Sequence, residues 1–114
     1  MSERPLLVEG SGNVFADLGL PDAEELLTRA KLGYSVRKIL EQRELKQSEI
    51  GKLLGIKQPE VSNLMKGKYH LFSENRLFGF LNKLDQKVVI QVSCHHQGEP
   101  FQQVAFMGEH LQSW

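Results

Sequence analysis

Two places in this 114-residue chain hold side chains that could do chemistry, and they would do different kinds. The first is Cys94-His95-His96, with His110 further on: a thiol beside imidazoles. Adjacent histidines project in different directions, and no ligand spacing typical of zinc is present. Nucleophilic catalysis would also need a positioned base and an oxyanion site, and nothing pairs with Cys94 except a neighbour. Neither a metal site nor an enzyme is expected, and no cofactor is implied. The second place is GIKQPEVSNLMKGK, residues 55–68. Read as a helix with Pro59 in its first turn, it turns Lys57, Gln58, Glu60, Ser62, Asn63 and Lys66 outward. Amides, a hydroxyl and ammonium groups in that order bind a polar partner; they do not assemble a reaction.

The charge distribution suggests the sign of that partner. Formal net charge is zero, but residues 37–68 carry a net +4 and residues 1–28 a net −5. A basic middle beside an acidic leader attracts a polyanion at one face and repels it at the other. Composition sets the remaining limits. With 40% hydrophobic residues, 25% charged residues and 4 prolines, the chain reads as one soluble globular domain. It has no apolar run long enough to span a bilayer, and its opening MSERPLLVEG lacks the basic start and apolar core of a signal peptide. A cytoplasmic location is expected, and the lone Cys94 agrees with a reducing compartment.

The elements that must position the polar stretch are mostly helical. Pro21 and Asp22 open a segment with Leu26, Leu27, Ala30, Val36, Ile39 and Leu40 at helical spacing, either one long helix or two broken near Gly33. Two short helices follow, with Ile50 and Leu54 on the inner face of the first and Val61 and Leu64 on that of the second. Gly51 is expected where these helices approach most closely, and Gly55 where a left-handed residue ends the first. Ser73 can cap a last helix bearing Leu77, Phe80, Leu81 and Leu84. The β-branched run VVIQVS, residues 88–93, reads as one short strand in need of a partner. Residues 94–114 show no sustained period and are expected to be a loosely ordered or partner-dependent tail.

Gln47, Ile50, Gly51, Leu54, Gly55, Ile56, Val61 and Leu64 together resemble the helix-turn-helix of the lambda-repressor-like, or XRE, family of bacterial and phage regulators. The motif covers residues 46–67, and the surrounding helices extend it to about 34–84. The resemblance implies a mostly α fold: a five-helix lambda-repressor-like DNA-binding domain, here with one short C-terminal strand. It also implies that the second helix enters the major groove, so that Gln58, Ser62 and Asn63 fall where such proteins read sequence. Glutamine and asparagine suit that work, because their amides can bond adenine N6 and N7 together. Pro59 either touches a thymine methyl or only starts the helix. Gln47 matches a family position that grips backbone phosphate, and Lys46, Lys57, Lys66 and Lys68 are candidates for further phosphate contacts. Lys46 and Lys57 stand where the family often has Ser or Thr. They are either phosphate clamps at uncapped helix ends or neutral surface variation.

The longer run GNVFADLGLPDAEELL, the helix-turn-helix and FSENRLFGFLNKLDQKVVIQV resemble a subgroup similar to HigA antitoxins, over about residues 12–92. That resemblance implies a repressor of its own operon, bound to double-stranded operator DNA, which neutralises a RelE/HigB-like mRNA-cleaving toxin. The alternative is a free-standing regulator without a toxin partner. Three regions are expected. Residues 1–20 form an acidic leader, either covering a toxin through Val14, Phe15, Leu18 and Leu20 or packing on its own domain. Residues 21–93 form the DNA-binding domain with its dimerisation strand, and residues 94–114 the tail. A homodimer is expected, because one such helix reads only a few base pairs. Phe72, Phe78 and Phe80 are open to two readings, interface or internal core.

Overall fold

Asn13 is the first residue of the described chain, residues 13–107 of a computed structural model. The leader's Glu3, Arg4 and Glu9, and the tail's His110 and Trp114, lie outside the described residues. Asn13 Oδ1 accepts from the backbone N–H of Phe15 at 3.0 Å and of Ala16 at 3.3 Å, which caps the short helix α1 (Val14–Asp17). Its Nδ2 donates to the Ala23 carbonyl at 3.1 Å and so ties α1 to the start of α2 (Ala23–Gln42). The described end of the leader, residues 13–20, thus lies against α2 through α1. Val14, Leu18 and Leu20 nevertheless remain exposed, and Phe15 is half-buried.

Helix α2 runs unbroken through Gly33, which settles the choice between one helix and two. The glycine is explained by a neighbour instead of a break. A Cβ at position 33 would lie 2.8 Å from the Cβ of Tyr69 and closer still to its ring, so only glycine admits that residue. Tyr69 belongs to a short 3-10 turn (Tyr69–Leu71) lying along α2.

Helix α3 (Gln47–Leu54) and helix α4 (Gln58–Met65) are joined by Gly55, Ile56 and Lys57. Gly55 adopts φ +72°, the left-handed conformation that an L side chain rarely takes, and the Gly51 carbonyl accepts from both Gly55 N (2.8 Å) and Ile56 N (3.0 Å). A Cβ on Gly51 would sit 3.0 Å from the Ile56 carbonyl oxygen and 3.6 Å from Val61 Cγ2. The close approach expected there is real, and the turn's own backbone is its nearest point. Helix α5 (Glu74–Lys83) starts at Ser73, whose Oγ accepts from Arg76 N at 3.2 Å, and ends before Asp85 at φ +66°.

The core gathers the apolar faces of α2 to α5: Leu32, Val36, Ile39 and Leu40; Ile50 and Leu54; Val61 and Leu64; Leu77, Phe80 and Leu81. Phe72 and Phe80 are 2% and 4% exposed and meet edge to face at 5.8 Å, so they are core residues and not interface residues; Phe78 packs against the core from its margin. Val88 also packs on the core. Beyond it no β-ladder forms among the described residues, and Val89, Ile90 and Val92 are 70%, 70% and 91% exposed. The short strand is thus a property the single chain does not display. Further on the chain returns to α2: Phe101 N donates to Glu24 Oε1 at 3.0 Å, Thr28 Oγ1 donates to Gln102 Oε1 at 2.9 Å, and Val104 rests on the core.

Candidate nucleic-acid interface

With Val61 and Leu64 completely buried, the opposite side of α4 faces outward. Lys57, Gln58 and Pro59 are exposed at its N-terminal end, Ser62 and Asn63 are half-buried one turn further on, and Lys66 and Lys68 are exposed at the far end. Gln58, Ser62 and Lys66 follow one another at four-residue steps, a single stripe along the helix. Lys46 and Gln47 are exposed at the start of α3. The two helix starts are joined directly, because Gln58 Nε2 donates to Gln47 Oε1. All nine residues singled out from sequence are therefore at least partly accessible, and Gln47 and Gln58 are in contact.

Local hydrogen bonding at these helix starts differs in one respect from what the lysines suggested. An ammonium group has no lone pair with which to cap an N–H, and neither lysine side chain does so. The glutamate three residues on turns back instead. Glu49 Oε1 accepts from Lys46 N at 2.7 Å, and Glu60 Oε1 accepts from Lys57 N at 3.5 Å, so each helix carries half of a capping box. Each start thus presents one ammonium and one carboxylate beside amides that no intrahelical carbonyl can reach.

Two cations from α5 hold the motif from behind, and sequence reasoning missed both. Arg76 Nη1 donates to Glu60 Oε2 at 2.7 Å, and Lys83 Nζ donates to the Leu54 carbonyl at 3.0 Å, satisfying an acceptor that α3 leaves at its C-terminus. The Arg76 hydrogen bond holds the Glu60 carboxyl below the usual carboxylate range, outweighing partial desolvation; the Lys57 N–H adds to the lowering. The pairs are 16 and 29 residues apart in sequence, so no local spacing announced them.

The other chemical candidates resolve into surface contacts. Cys94 is exposed, His95 stacks on Phe101 with centroids 3.8 Å apart, and His96 Nδ1 lies 3.3 Å from Glu99 Oε1. Among the described residues no group of three His, Cys, Asp or Glu side chains is placed to hold a metal ion. Likewise no helix among them is long and apolar enough to cross a membrane.

Comparison with known proteins agrees with this geometry. Residues 14–93 match the family described as a helix-turn-helix domain. A solved structure, of a protein assigned as an XRE family transcriptional regulator, aligns with a TM-score of 0.67 and 34% identity over 78% of this chain and 100% of the other. A comparison with curated proteins gave no match. With a paired-helix motif on its surface, a match over most of its length and a relative of that likeness, the chain belongs to the XRE family of helix-turn-helix transcriptional regulators, which bind DNA.

Proposed function

We propose that this regulator represses transcription by reading operator DNA with α4 in the major groove, two copies of the chain occupying two half-sites about 34 Å apart or a multiple of that spacing. Gln58, Ser62 and Asn63 read base edges, and Pro59 lies against them. Gln47, Lys46, Lys57, Lys66 and Lys68 contact phosphate, setting register and affinity. The observation that carries this reading is the Gln58–Gln47 hydrogen bond. It braces an exposed amide at the head of α4 against the head of α3, which supports a paired role in which Gln58 reads a base while Gln47 holds phosphate.

The experiment is selection of duplexes from a random pool by the full chain, followed by binding measurements with Asn63→Ala. Loss of roughly 1–3 kcal/mol on the selected site, with relaxed preference at one position per half-site, supports base reading by Asn63. An equal loss on every sequence reassigns it to the backbone.

The regulator further acts as the antitoxin of a type II pair, neutralising a RelE/HigB-like toxin and repressing the shared operon. The described end of the leader supports this, since it keeps Val14, Leu18 and Leu20 exposed beside Asp17 while α1 is anchored on α2, an apolar surface suited to a protein partner. A small basic reading frame abutting the gene and copurifying as protein would support the pair. An isolated gene with no such neighbour favours a free-standing regulator.

A further inference from the structure

Arg76 stands outside the helix-turn-helix, in the first turn of α5, yet its side chain is fixed at the flank of α4. Its guanidinium lies 5.3 Å from the ring centroid of Phe72 and 5.6 Å from that of Phe80, both buried, and bonds Glu60 Oε2 at 2.7 Å. The second oxygen of Glu60 accepts from Lys57 N. Both oxygens are thus engaged on a carboxylate that remains 38% exposed. The position of this carboxylate is what makes the arrangement informative. Glu60 lies in the first turn of α4, one turn before Asn63 and beside Lys57, where a phosphate backbone would approach. Bare, its charge would fall within a Debye length of the phosphates, about 8–10 Å at physiological salt, and would repel them.

We infer that Arg76 is a positioning residue for DNA recognition: it neutralises Glu60 and fixes the first turn of α4, so that Lys57 and Gln58 meet the duplex with no repelling carboxylate between them. The inference rests on the DNA-reading role of α4 proposed above. A half-exposed ion pair of this kind adds little to folding stability, and the two rings would pack equally well on an apolar chain. What the positive charge adds is local field, at the one glutamate of α4.

The test uses the full-length chain and a duplex that the wild type has enriched from a random pool. Affinity is measured over a range of salt for wild type, Arg76→Met, Glu60→Gln and the double variant, with thermal melting of each. Arg76→Met is expected to bind roughly tenfold more weakly. Adding Glu60→Gln is expected to return the affinity to within about threefold of wild type, because the charge to be masked is gone. Arg76→Lys, which retains the cation, is expected to stay near wild type and serves if the methionine variant does not fold. A double variant as weak as Arg76→Met overturns the inference, since lost packing is not restored by glutamine. So does a salt slope flattened by about one ion in both Arg76→Met and the double variant, which would place Arg76 itself on a phosphate. A wild type that enriches no duplex defeats the DNA reading itself, whereas failed rescue with a binding wild type defeats this inference alone.

Discussion

At residue 33 two rules of thumb oppose each other, and the geometry decides between them. Alanine is favoured over glycine in a helix interior by about 1 kcal/mol, so propensity alone makes Gly33→Ala a stabilising change. The space for the added methyl, however, is occupied by Tyr69 down to its own Cβ, an atom that cannot swing away without moving the backbone of the 3-10 turn. Overpacking of that kind costs about 1–3 kcal/mol. Gly33→Ala is therefore expected to lower stability, read as a fall in the urea midpoint with an unchanged slope; a higher midpoint would mean that the turn repacks freely. The same residue marks a limit of sequence reading. A glycine at helical spacing looks like a break, because its reason, Tyr69, lies 36 positions away. Gln47 and Gln58 were each legible as surface amides, but their contact depends on the crossing of two helices. Arg76 gave no signal at all, since an arginine on an amphipathic helix is ordinary until its partner is known.

Helices α3, α4 and α5 show what is legible at the next scale. The apolar offsets of the motif, its Gly55 cap and Ser73 at the head of α5 are short-range features, and all three form as the spacing implies. Cross-links between elements are not short-range, and one of them is accessible to titration. Glu60 is held below the ordinary carboxylate range in the folded chain, first by Arg76. The unfolded chain therefore binds a proton at Glu60 at higher pH than the folded one does. The contribution to stability is complete above the unfolded value near pH 4 and is lost as pH falls through the depressed folded value. Urea denaturation between about pH 6 and pH 3 should show wild type losing slightly more stability than Glu60→Gln, by the small amount a half-exposed pair contributes, the two curves converging at the acid end. Parallel curves would mean that Arg76 does not hold the carboxylate in solution.

On the scale of the whole molecule, the chain displays most of an architecture but leaves one part of it uncovered. The run VVIQVS has strand composition, and Val88 is anchored on the core, yet Val89, Ile90 and Val92 project into solvent with no ladder beside them. A strand is a relation between two segments, so one chain read alone supplies half of it, both on paper and in three dimensions. The burial of Phe72 and Phe80 removes two of the three phenylalanines considered for pairing two copies, while Phe78 is half-buried, and the exposed run is the larger apolar surface at which to test for dimerisation. Two copies pairing it about a two-fold axis would satisfy its backbone groups and fix the spacing of two α4 helices. A lysine at Ile90 would put a like charge near its symmetry mate in such a pair while touching nothing in the core. Ile90→Lys should leave thermal melting of the dilute chain nearly unchanged, shift sedimentation towards the monomer, and weaken binding to a two-half-site duplex far more than to a single half-site. If the sedimentation coefficient and the preference for paired half-sites both stay at their wild-type values, this run is not a surface through which copies of the chain pair.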